Sequence, residues 1–291
     1  MTKPPTRVVL DFDGTCTLVE QAAEGYLEAY RQGFSTQVSP LTAEEWGAAL
    51  ARVRGQSPQA GWTLAGTPSA PVAADPYILA YETASHLMRE RRLPGALPYS
   101  LHGGAYAASP APWRPDVREV LETLDAKGVS VFFVSNSDSA YIEGRLDGLF
   151  PNGGSVRQGI VVRSGAGKFR VCELPWEDQP FLNEGCRDIF RRLPSSLSVA
   201  ELGRPVYVRR GSYFEALSRA LEGDCDGLGD TLFCGDIWEL DLAMPRLLGA
   251  RIHLIERAAP FETYDYERRA IAAEGVWANS GRDLASLLQW F

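Results

Sequence analysis

The sequence predicts an α/β protein: a doubly wound parallel sheet with an inserted, mainly helical domain. Six short segments are apolar nearly throughout rather than alternating, as buried parallel strands are; they are RVVLDF, VSVFFVS, GIVVRS, RPVYVRR, DTLFCGD and ARIHLIE. Helical segments separate several of them, and strand–helix–strand alternation places helices on both faces of a parallel sheet. A long interval without strand character interrupts this alternation. We therefore predict a core of residues 1–16 and 113–291 and a helical insertion of residues 17–112.

Two core helices show clear end signals. The segment RPDVREVLETLDAKG begins at a proline beside an acidic residue, repeats apolar residues at helical spacing and stops at Gly128. The segment SYFEALSRALEG has its apolar residues on one side and ends before Gly223. Both segments lie between predicted strands, as crossover helices do.

The insertion contains three predicted helices. The first, EQAAEGYLEAYRQGF, presents one apolar stripe, and the second opens with the capping box TAEE. The third runs from Asp75 to about Leu93, where Pro94-Gly95 stops it. We interpret the Gly-, Pro- and Ser-rich residues 54–75 and the segment HGGA as loops.

Composition limits the partners and the compartment. Lys+Arg 29 against Asp+Glu 37 gives a formal net charge of −8, which argues against nucleic acid or an anionic membrane as a general partner. No run approaches the ~18–20 apolar residues that span a bilayer, and MTKPPTRVVL lacks the apolar core of a signal peptide. The five cysteines form no CxxC pair, which is typical of reduced thiols. We expect a cytoplasmic protein.

Polar residues follow three of the predicted strands. RVVL runs into Asp11 and Asp13, VSVFFV into Ser135-Asn136, and TLFC into Gly235-Asp236, with Asp241 shortly after. In a doubly wound sheet ligands bind beyond the carboxyl ends of the strands, so these side chains are expected to meet. An Asp-Gly turn would explain the first segment alone, and a first-turn helix acid would explain Asp241, but neither explains the whole set.

Two like charges at the end of a buried strand are costly unless a partner offsets repulsion and desolvation. Mg²⁺ prefers oxygen ligands and is commonly held by few carboxylates, water and substrate phosphate. Asp11 and Asp236 could supply those carboxylates. The pattern therefore indicates a magnesium site.

The segments DFDGT, VFFVSNS and GDIWELD resemble, in order, motifs one, two and four of the haloacid dehalogenase-like (HAD) hydrolase superfamily, phosphatase type. The resemblance covers roughly residues 5–16 and 113–291. It implies a Rossmann-like core, and the insertion has the position of the family's first-type helical cap.

The resemblance implies a role for each matched residue. Asp11 would be the nucleophile that forms an aspartyl-phosphate, and Asp13 would protonate the leaving oxygen and then take a proton from water. Ser135 would hydrogen-bond the phosphoryl group, with Asn136 beside it. The metal site would be made by Asp11, the main-chain carbonyl of Asp13 and Asp236, with Asp241 orienting a water or a cation.

The third family motif, a Lys or Arg that neutralises the phosphoryl charge, has no clear match. The segment in its place, VYVRRGSYFEALSRAL, contains no lysine, and along a strand only one of Arg209 and Arg210 can face the site. Lys168, in the loop SGAGKF after another predicted strand, competes equally with Arg210. The sequence leaves both alternatives open.

The resemblance implies a Mg²⁺-dependent phosphatase acting on a small phosphorylated metabolite, with neither nucleic acid nor membrane as partner. Family dehalogenases do not keep the second aspartate of motif one, which is Asp13 here, and they use no metal. Asp13 therefore favours a phosphatase. A phosphomutase with the same acid pair is one alternative. The other, motivated by the unclear third motif, is a catalytically weak binding protein of the same fold.

Overall fold

The computed structural model describes residues 3–64, 67–175 and 179–291. The strands, in chain order, are β1 (Arg7–Leu10), β2 (Gly61–Leu64), β3 (Thr67–Pro71), β4 (Ser130–Val134), β5 (Ile160–Arg163), β6 (Ser196–Leu197), β7 (Val206–Tyr207), β8 (Thr231–Gly235), β9 (Arg251–Ile255) and β10 (Ala278–Gly281). The α-helices are α1 (Val19–Gln37), α2 (Ala43–Arg54), α3 (Pro76–Glu90), α4 (Tyr99–Ala108), α5 (Val117–Ala126), α6 (Ser139–Leu149), α7 (Ser155–Gly159), α8 (Glu184–Arg191), α9 (Gly211–Ala220), α10 (Ala243–Leu247) and α11 (Asp265–Ala273).

Six strands form one sheet in the order β10-β9-β8-β1-β4-β5, and every neighbouring pair is parallel. Side chains alternate between its two faces. Val9, Phe233 and Ile252 pack on one face with α8, α9 and α11, whereas Val8 and Leu232 pack on the other with α5 and α6. The predicted doubly wound α/β architecture is confirmed.

Two strand predictions need correction. The segment RPVYVRR is not in the sheet: only Val206–Tyr207 is extended, and it pairs antiparallel with Ser196–Leu197 in a separate two-stranded hairpin. The sixth sheet strand is instead Ala278–Gly281, whose half-buried residues ANSG lack the apolar signal of a buried strand.

Residues 17–112 contain α1 to α4, which we call the helical layer, and the hairpin β2–β3. An apolar cluster around Tyr26, Tyr30, Phe34 and Trp46 holds the four helices together. The division of the chain at residues 16 and 112 stays a prediction.

Two loop predictions in this range are wrong. Within the Gly-, Pro- and Ser-rich segment, Gly61–Leu64 and Thr67–Pro71 form an antiparallel hairpin, and residues 65–66 of that segment lie outside the described residues. The segment HGGA lies inside α4, and α4 packs closely on α1 at a glycine of α1: a Cβ on Gly33 would meet the Leu101 side chain at 3.1 Å.

The prediction that all cysteines are reduced is wrong for one pair. Cys186 of α8 and Cys225 form a disulfide, whereas Cys16, Cys172 and Cys234 are free thiols. The packing of α8 beside the turn before β8 brings the two Cα atoms to 5.4 Å, and a separation of 39 residues gives no such signal in the sequence. Within the described ranges, no helix combines the length and apolar character needed to cross a membrane.

Candidate active site

The carboxyl ends of four neighbouring strands lie level with one another. Leu10, the last residue of β1, pairs with Phe133 of β4 on one side and with Cys234 of β8 on the other. Val134 in turn pairs with Arg163, the last residue of β5. The segments that follow these strands therefore meet at one edge of the sheet, and they carry the predicted site residues.

A buried lysine joins two of the aspartates. The ammonium of Lys168, in the loop after β5, donates to Asp11 Oδ1 at 2.6 Å and to Asp241 Oδ1 at 2.9 Å. Its side chain is 2% exposed, against 12% for Asp11 and 6% for Asp241. Asp241 Oδ2 accepts from the main-chain N–H of Ile237 at 3.0 Å, so both Asp241 oxygens already have donors.

Asp236 lies beside this pair with one oxygen unused. Its Oδ1 accepts from the Thr15 hydroxyl at 3.3 Å, while its buried Oδ2 has no hydrogen-bond partner among the described residues. Gly14 makes room for this carboxylate, since a Cβ on Gly14 would meet Asp236 Oδ2 at 2.4 Å. Gly14 also has a φ of +79°, a conformation that favours glycine.

The main chain of Asp236 is held from the other side. The Arg257 guanidinium donates to the Asp236 carbonyl and forms an ion pair with Glu267. Glu267 also accepts from the main-chain N–H of Trp238 at 3.0 Å. These buried contacts fix the segment that follows β8, and with it the direction of the Asp236 carboxylate.

Asp13 receives hydrogen bonds from two parts of the protein. The Tyr106 hydroxyl, in α4, lies 3.0 Å from both Asp13 carboxylate oxygens, and the Ser137 hydroxyl donates to Asp13 Oδ2. Asp13 thus contacts both the core loop after β4 and the helical layer.

Ser135 and Asn136 shape the loop between these groups. Ser135 Oγ accepts from the main-chain N–H of Ser137 at 3.2 Å, which leaves its own hydroxyl proton free to donate. Asn136 Oδ1 accepts from the main-chain N–H of Lys168 at 2.9 Å. Asn136 therefore positions the lysine loop in this structure.

The two arginine candidates have other partners. Arg210 is fully buried, and its guanidinium donates to the main-chain carbonyls of Lys168 and Ser69. Arg209 donates to the carbonyls of Leu193 and Arg191 and pairs with Glu173. The structure thus places Lys168, and neither arginine, against Asp11; Arg210 supports the lysine loop from behind.

Burial dominates the electrostatics of the cluster. It raises the pKa of Asp11 to about 7 against the opposing effect of Lys168, and it raises the pKa of Asp236, to which the negative charge of Asp241 adds. Burial lowers the pKa of Lys168, but Asp11 and Asp241 reverse that effect and raise it, so the ammonium stays charged. A cation between Asp11 and Asp236 would offset the cost of ionising both carboxylates.

The donor set fits a magnesium ion. One carboxylate oxygen from each of Asp11, Asp236 and Asp241 lies within 4.8 Å of the others. Asp236 also has a buried Oδ2 with no hydrogen-bond partner among the described residues. Hard oxygen donors with a buried oxygen lacking a partner are the ligands expected for this metal. Because Asp241 is already bound to Lys168 and Ile237, Asp11 and Asp236 are the carboxylates available to the ion.

Comparison with solved structures decides the fold family. A predicted phosphoglycolate phosphatase from Haemophilus somnus 129PT superposes with a TM-score of 0.51 at 12% sequence identity, covering 99% of this chain and 99% of that chain. The chain has the HAD-like fold. The predicted fold resemblance is confirmed.

Other solved structures match across nearly the full chain with lower TM-scores. The putative HAD-hydrolase YfnB from Bacillus subtilis, bound to magnesium, has a TM-score of 0.46 at 15% identity and covers 99% of this chain and 98% of that one. A HAD phosphatase from Thermococcus onnurineus also has a TM-score of 0.46 at 15% identity, with coverages of 98% and 96%. No family model and no curated protein matches the sequence.

A cavity of about 760 Å³ opens beside the candidate site, between the helical layer and the core. Its walls include Arg54 of α2 together with Arg114 and Arg257 of the core. Arg257 donates to the Asp236 carbonyl and Arg114 to that of Gly14, so these two side chains form the boundary between cavity and site. The cavity is adjacent to the aspartates and does not include them.

Sequence reasoning missed three contributors to the site. Ser137 follows the recognised Ser135-Asn136 pair directly, and Thr15 belongs to DFDGT, so both could have been found by reading the motifs to their ends. Tyr106 carries no such signal, because it lies in a helix that the sequence did not predict and 93 residues from Asp13.

Proposed function

We propose that this protein is a Mg²⁺-dependent phosphatase that hydrolyses a small phosphomonoester through an aspartyl-phosphate on Asp11. One observation carries the proposal: the Lys168 ammonium bridges Asp11 and Asp241 in the same buried cluster as the unpartnered Asp236 Oδ2. The lysine contacts the proposed nucleophile and lies beside a site for a divalent cation. Two positive charges in this place would stabilise the negative charge on the phosphoryl oxygens in the transition state of phosphoryl transfer.

Asp11 and Asp236 would hold the magnesium ion, together with the main-chain carbonyl of Asp13. When bound, the ion supplies positive charge that offsets the negative charge of the phosphoryl oxygens. Asp241 orients Lys168 rather than the ion, because each of its oxygens already accepts a hydrogen bond.

The reaction begins with a new bond from an Asp11 oxygen to phosphorus, opposite the ester oxygen. Asp11 Oδ1 is held by Lys168 at 2.6 Å, whereas Oδ2 has only the Thr15 hydroxyl at 3.5 Å. Oδ2 is therefore the oxygen free to attack. Lys168 and the Ser135 hydroxyl would donate to the phosphoryl oxygens as the P–O ester bond breaks.

Asp13 handles the protons of both half-reactions. It gives a proton to the leaving alkoxide as the aspartyl-phosphate forms, then takes one from the water that attacks phosphorus and releases phosphate from Asp11. The proton lost in the first step is regained in the second, so the protein returns to its starting state.

The HAD-like fold and Asp13, the second aspartate of DFDGT, support hydrolysis of phosphate esters. The predicted phosphoglycolate phosphatase from Haemophilus somnus 129PT shares this fold, and its name suggests a substrate class to test, the phosphorylated small organic acids. Asp13 stands at the position where, by the family resemblance, dehalogenases keep no aspartate.

The test is release of inorganic phosphate from a panel of phosphorylated metabolites in Mg²⁺, with Asp11→Asn as the inactive variant. The matched control is Asp188→Asn, which removes one charge from the exposed face of α8. We expect wild type and Asp188→Asn to release phosphate, and Asp11→Asn and EDTA-treated protein to release none. An isomerised sugar phosphate without net phosphate release would identify a mutase, and no turnover on any ester would contradict catalysis.

A further inference from the structure

The carboxylate of Asp13 is held from two directions. The Tyr106 hydroxyl lies 3.0 Å from Oδ1 and 3.0 Å from Oδ2, and the Ser137 hydroxyl donates to Oδ2. Tyr106 and Ser137 also approach each other, with 3.4 Å between their hydroxyl oxygens. The two hydroxyl groups and the carboxylate of the proposed acid thus contact one another in a closed triangle.

The two holders of Asp13 come from different parts of the fold. Ser137 follows β4 in the core, close in sequence to the phosphate-binding Ser135, whereas Tyr106 lies near the end of α4 in the helical layer. The Tyr106–Asp13 contact spans 93 residues of chain. It exists only when the helical layer is seated on the core.

The ring of Tyr106 has a fixed place. It packs at 5.4 Å from Tyr77 and 5.5 Å from His102 within the helical layer, and at 4.9 Å from Tyr141 of the core helix α6, measured between ring centroids. Such aromatic contacts restrict the ring to a narrow range of orientations, so the hydroxyl is pre-oriented toward Asp13.

We propose that Tyr106 is a positioning residue for Asp13, so that docking of the helical layer aligns the acid with the leaving group. This inference rests on the proposed phosphatase activity. The effect of Tyr106 passes through Asp13, and Tyr106 itself forms no bond to phosphorus.

The hydrogen bonds also distinguish the two Asp13 oxygens. Among the described residues, the Ser137 hydroxyl donates to Oδ2, while the single Tyr106 hydroxyl proton is shared between Oδ1 and Oδ2, each at 3.0 Å. A carboxyl oxygen has two acceptor positions, so Oδ1 keeps one that can exchange a proton with the substrate. In the proposed reaction Oδ1 is therefore the oxygen that exchanges the proton with the leaving group.

This arrangement indicates the substrate class. An aliphatic alkoxide is a poor leaving group and needs a well-placed proton donor, whereas a nitrophenolate departs without one. Here a buried tyrosine from a separate part of the fold orients the acid. Such a site suits phosphate esters of aliphatic alcohols.

The test compares two esters, 4-nitrophenyl phosphate and glycerol phosphate, in Mg²⁺. The variants are Tyr106→Phe, Asp13→Asn, the double variant, and Tyr26→Phe as matched control. Tyr26 belongs to the same aromatic cluster, but its hydroxyl bonds His102 at 2.9 Å rather than Asp13. Melting temperatures of all four establish that they are folded.

We expect Tyr106→Phe to lower kcat/KM on glycerol phosphate about 10- to 100-fold, a fraction of the full effect of a general acid, with little change in kcat/KM on 4-nitrophenyl phosphate. This ratio reports the half-reaction in which the leaving group departs, whereas kcat also includes the water attack, which is common to both esters. Tyr26→Phe should match wild type on both esters. In the Asp13→Asn background the Tyr106 substitution should cost nothing further, since the residue acts through Asp13.

Equal losses of kcat/KM on the two esters, no loss on either, or independent losses in the double variant would each overturn the positioning role while leaving the phosphatase proposal intact. A wild-type protein that turns over neither ester, with no activity on the metabolite panel, would overturn the phosphatase proposal itself and this inference with it.

Discussion

Lys168 is the residue on which the local chemistry depends. It places one positive charge at hydrogen-bonding distance from both Asp11 and Asp241, and all three side chains are largely buried. A buried charge set of this kind is stable only when every member is paired, so removing the cation leaves two carboxylates facing each other. The lysine thus pairs with both carboxylates and, in the proposed reaction, would also offset the charge of the transferred phosphoryl group.

Lys168→Gln should therefore abolish most activity. We expect kcat to fall by about 10² to 10³, the loss seen when one transition-state donor is removed from an active site. Steady-state kinetics on any ester that wild type accepts gives the measurement. Arg209→Gln is the matched control, since its guanidinium contacts Glu173 and two main-chain carbonyls away from Asp11; a loss of similar size there would argue against the assignment of Lys168.

Gly14 tests how closely the Asp236 carboxylate is packed. Gly14→Ala adds a methyl that meets Asp236 Oδ2 at 2.4 Å, and it also strains a backbone at φ +79°. Gly95→Ala, at φ +91° with nothing within 4 Å of the new Cβ, carries the strain alone. We expect both to lose about 1–2 kcal/mol of stability from the strain, and Gly14→Ala alone to need much more Mg²⁺ for half-maximal activity. Identical Mg²⁺ titrations for the two variants would count against the metal site.

At the scale of elements, prediction worked where burial is strongest. β1, β4, β8 and β9 are apolar in sequence and central or near-central in the sheet, and each was recognised. The edge strand β10 is half-buried and polar, so it gave no signal. The apolar segment before α9 was assigned to the sheet because a buried hairpin and a buried parallel strand have the same composition; only tertiary pairing separates them.

The strand β9 carries a histidine whose environment predicts a pH-dependent stability. His253 is fully buried; its Nδ1 accepts from the Trp290 indole N–H at 3.2 Å, and its Nε2 lies 2.8 Å from the Ser286 hydroxyl. Burial lowers its pKa to about 4, with Asp283 opposing the shift. Protonation at Nδ1 would also break the Trp290 hydrogen bond.

Because the pKa of His253 is lower in the folded protein than its usual value of about 6.5, the unfolded chain binds the proton more readily. The neutral His253 side chain therefore contributes to the free energy of unfolding in full above pH 6.5. This contribution, on the order of 3 kcal/mol in total, is lost as pH falls toward 4. Denaturant unfolding of wild type and His253→Gln between pH 4 and 7.5 measures it, with His86→Gln as control. The pH dependence should flatten in His253→Gln; parallel curves for all three proteins would contradict this account.

The whole molecule consists of a sheet-based core and a helical layer joined by contacts on several sides. Besides Tyr106 and Asp13, the Ser57 hydroxyl lies 2.6 Å from that of Tyr264, and the Ser69 hydroxyl donates to the Phe169 carbonyl at 2.5 Å. Phe169 directly follows Lys168 in the chain. Tyr106 of the helical layer therefore contacts the proposed acid, and Ser69 of β3 contacts the residue that follows the lysine.

The disulfide joins a different region, α8 and the turn before β8. Cys186–Cys225 closes a loop with a separation of 39 residues, for which the chain-entropy relation gives about 4 kcal/mol of stabilisation. We expect thiol titration of the denatured, unreduced protein to find three free thiols, and Cys186→Ser/Cys225→Ser to unfold at lower denaturant concentration. Five titratable thiols, with equal stability of the double variant, would show that the bond does not form.

How much of the site the sequence predicted depends on how its parts are encoded. Asp11, Asp13, Ser135, Asp236 and Asp241 sit at strand ends within short motifs, and the parallel register brings them together as expected. The choice between Lys168 and Arg210 could not be made, because it depends on which loop reaches Asp11. Tyr106 could not be foreseen at all, since its position depends on how one part of the fold packs on another.

The central claim is that Asp11 accepts the phosphoryl group, and detection of the intermediate tests it most directly. Asp13→Asn retains the nucleophile but lacks the base that activates water, so 4-nitrophenyl phosphate should leave phosphoryl groups on the protein. Acid quenching followed by peptide mass spectrometry should find one phosphoryl group on Asp11 in that variant and none in Asp11→Asn. Phosphate release by wild type, with no phosphoryl group on Asp11 in wild type or in Asp13→Asn, would contradict the account.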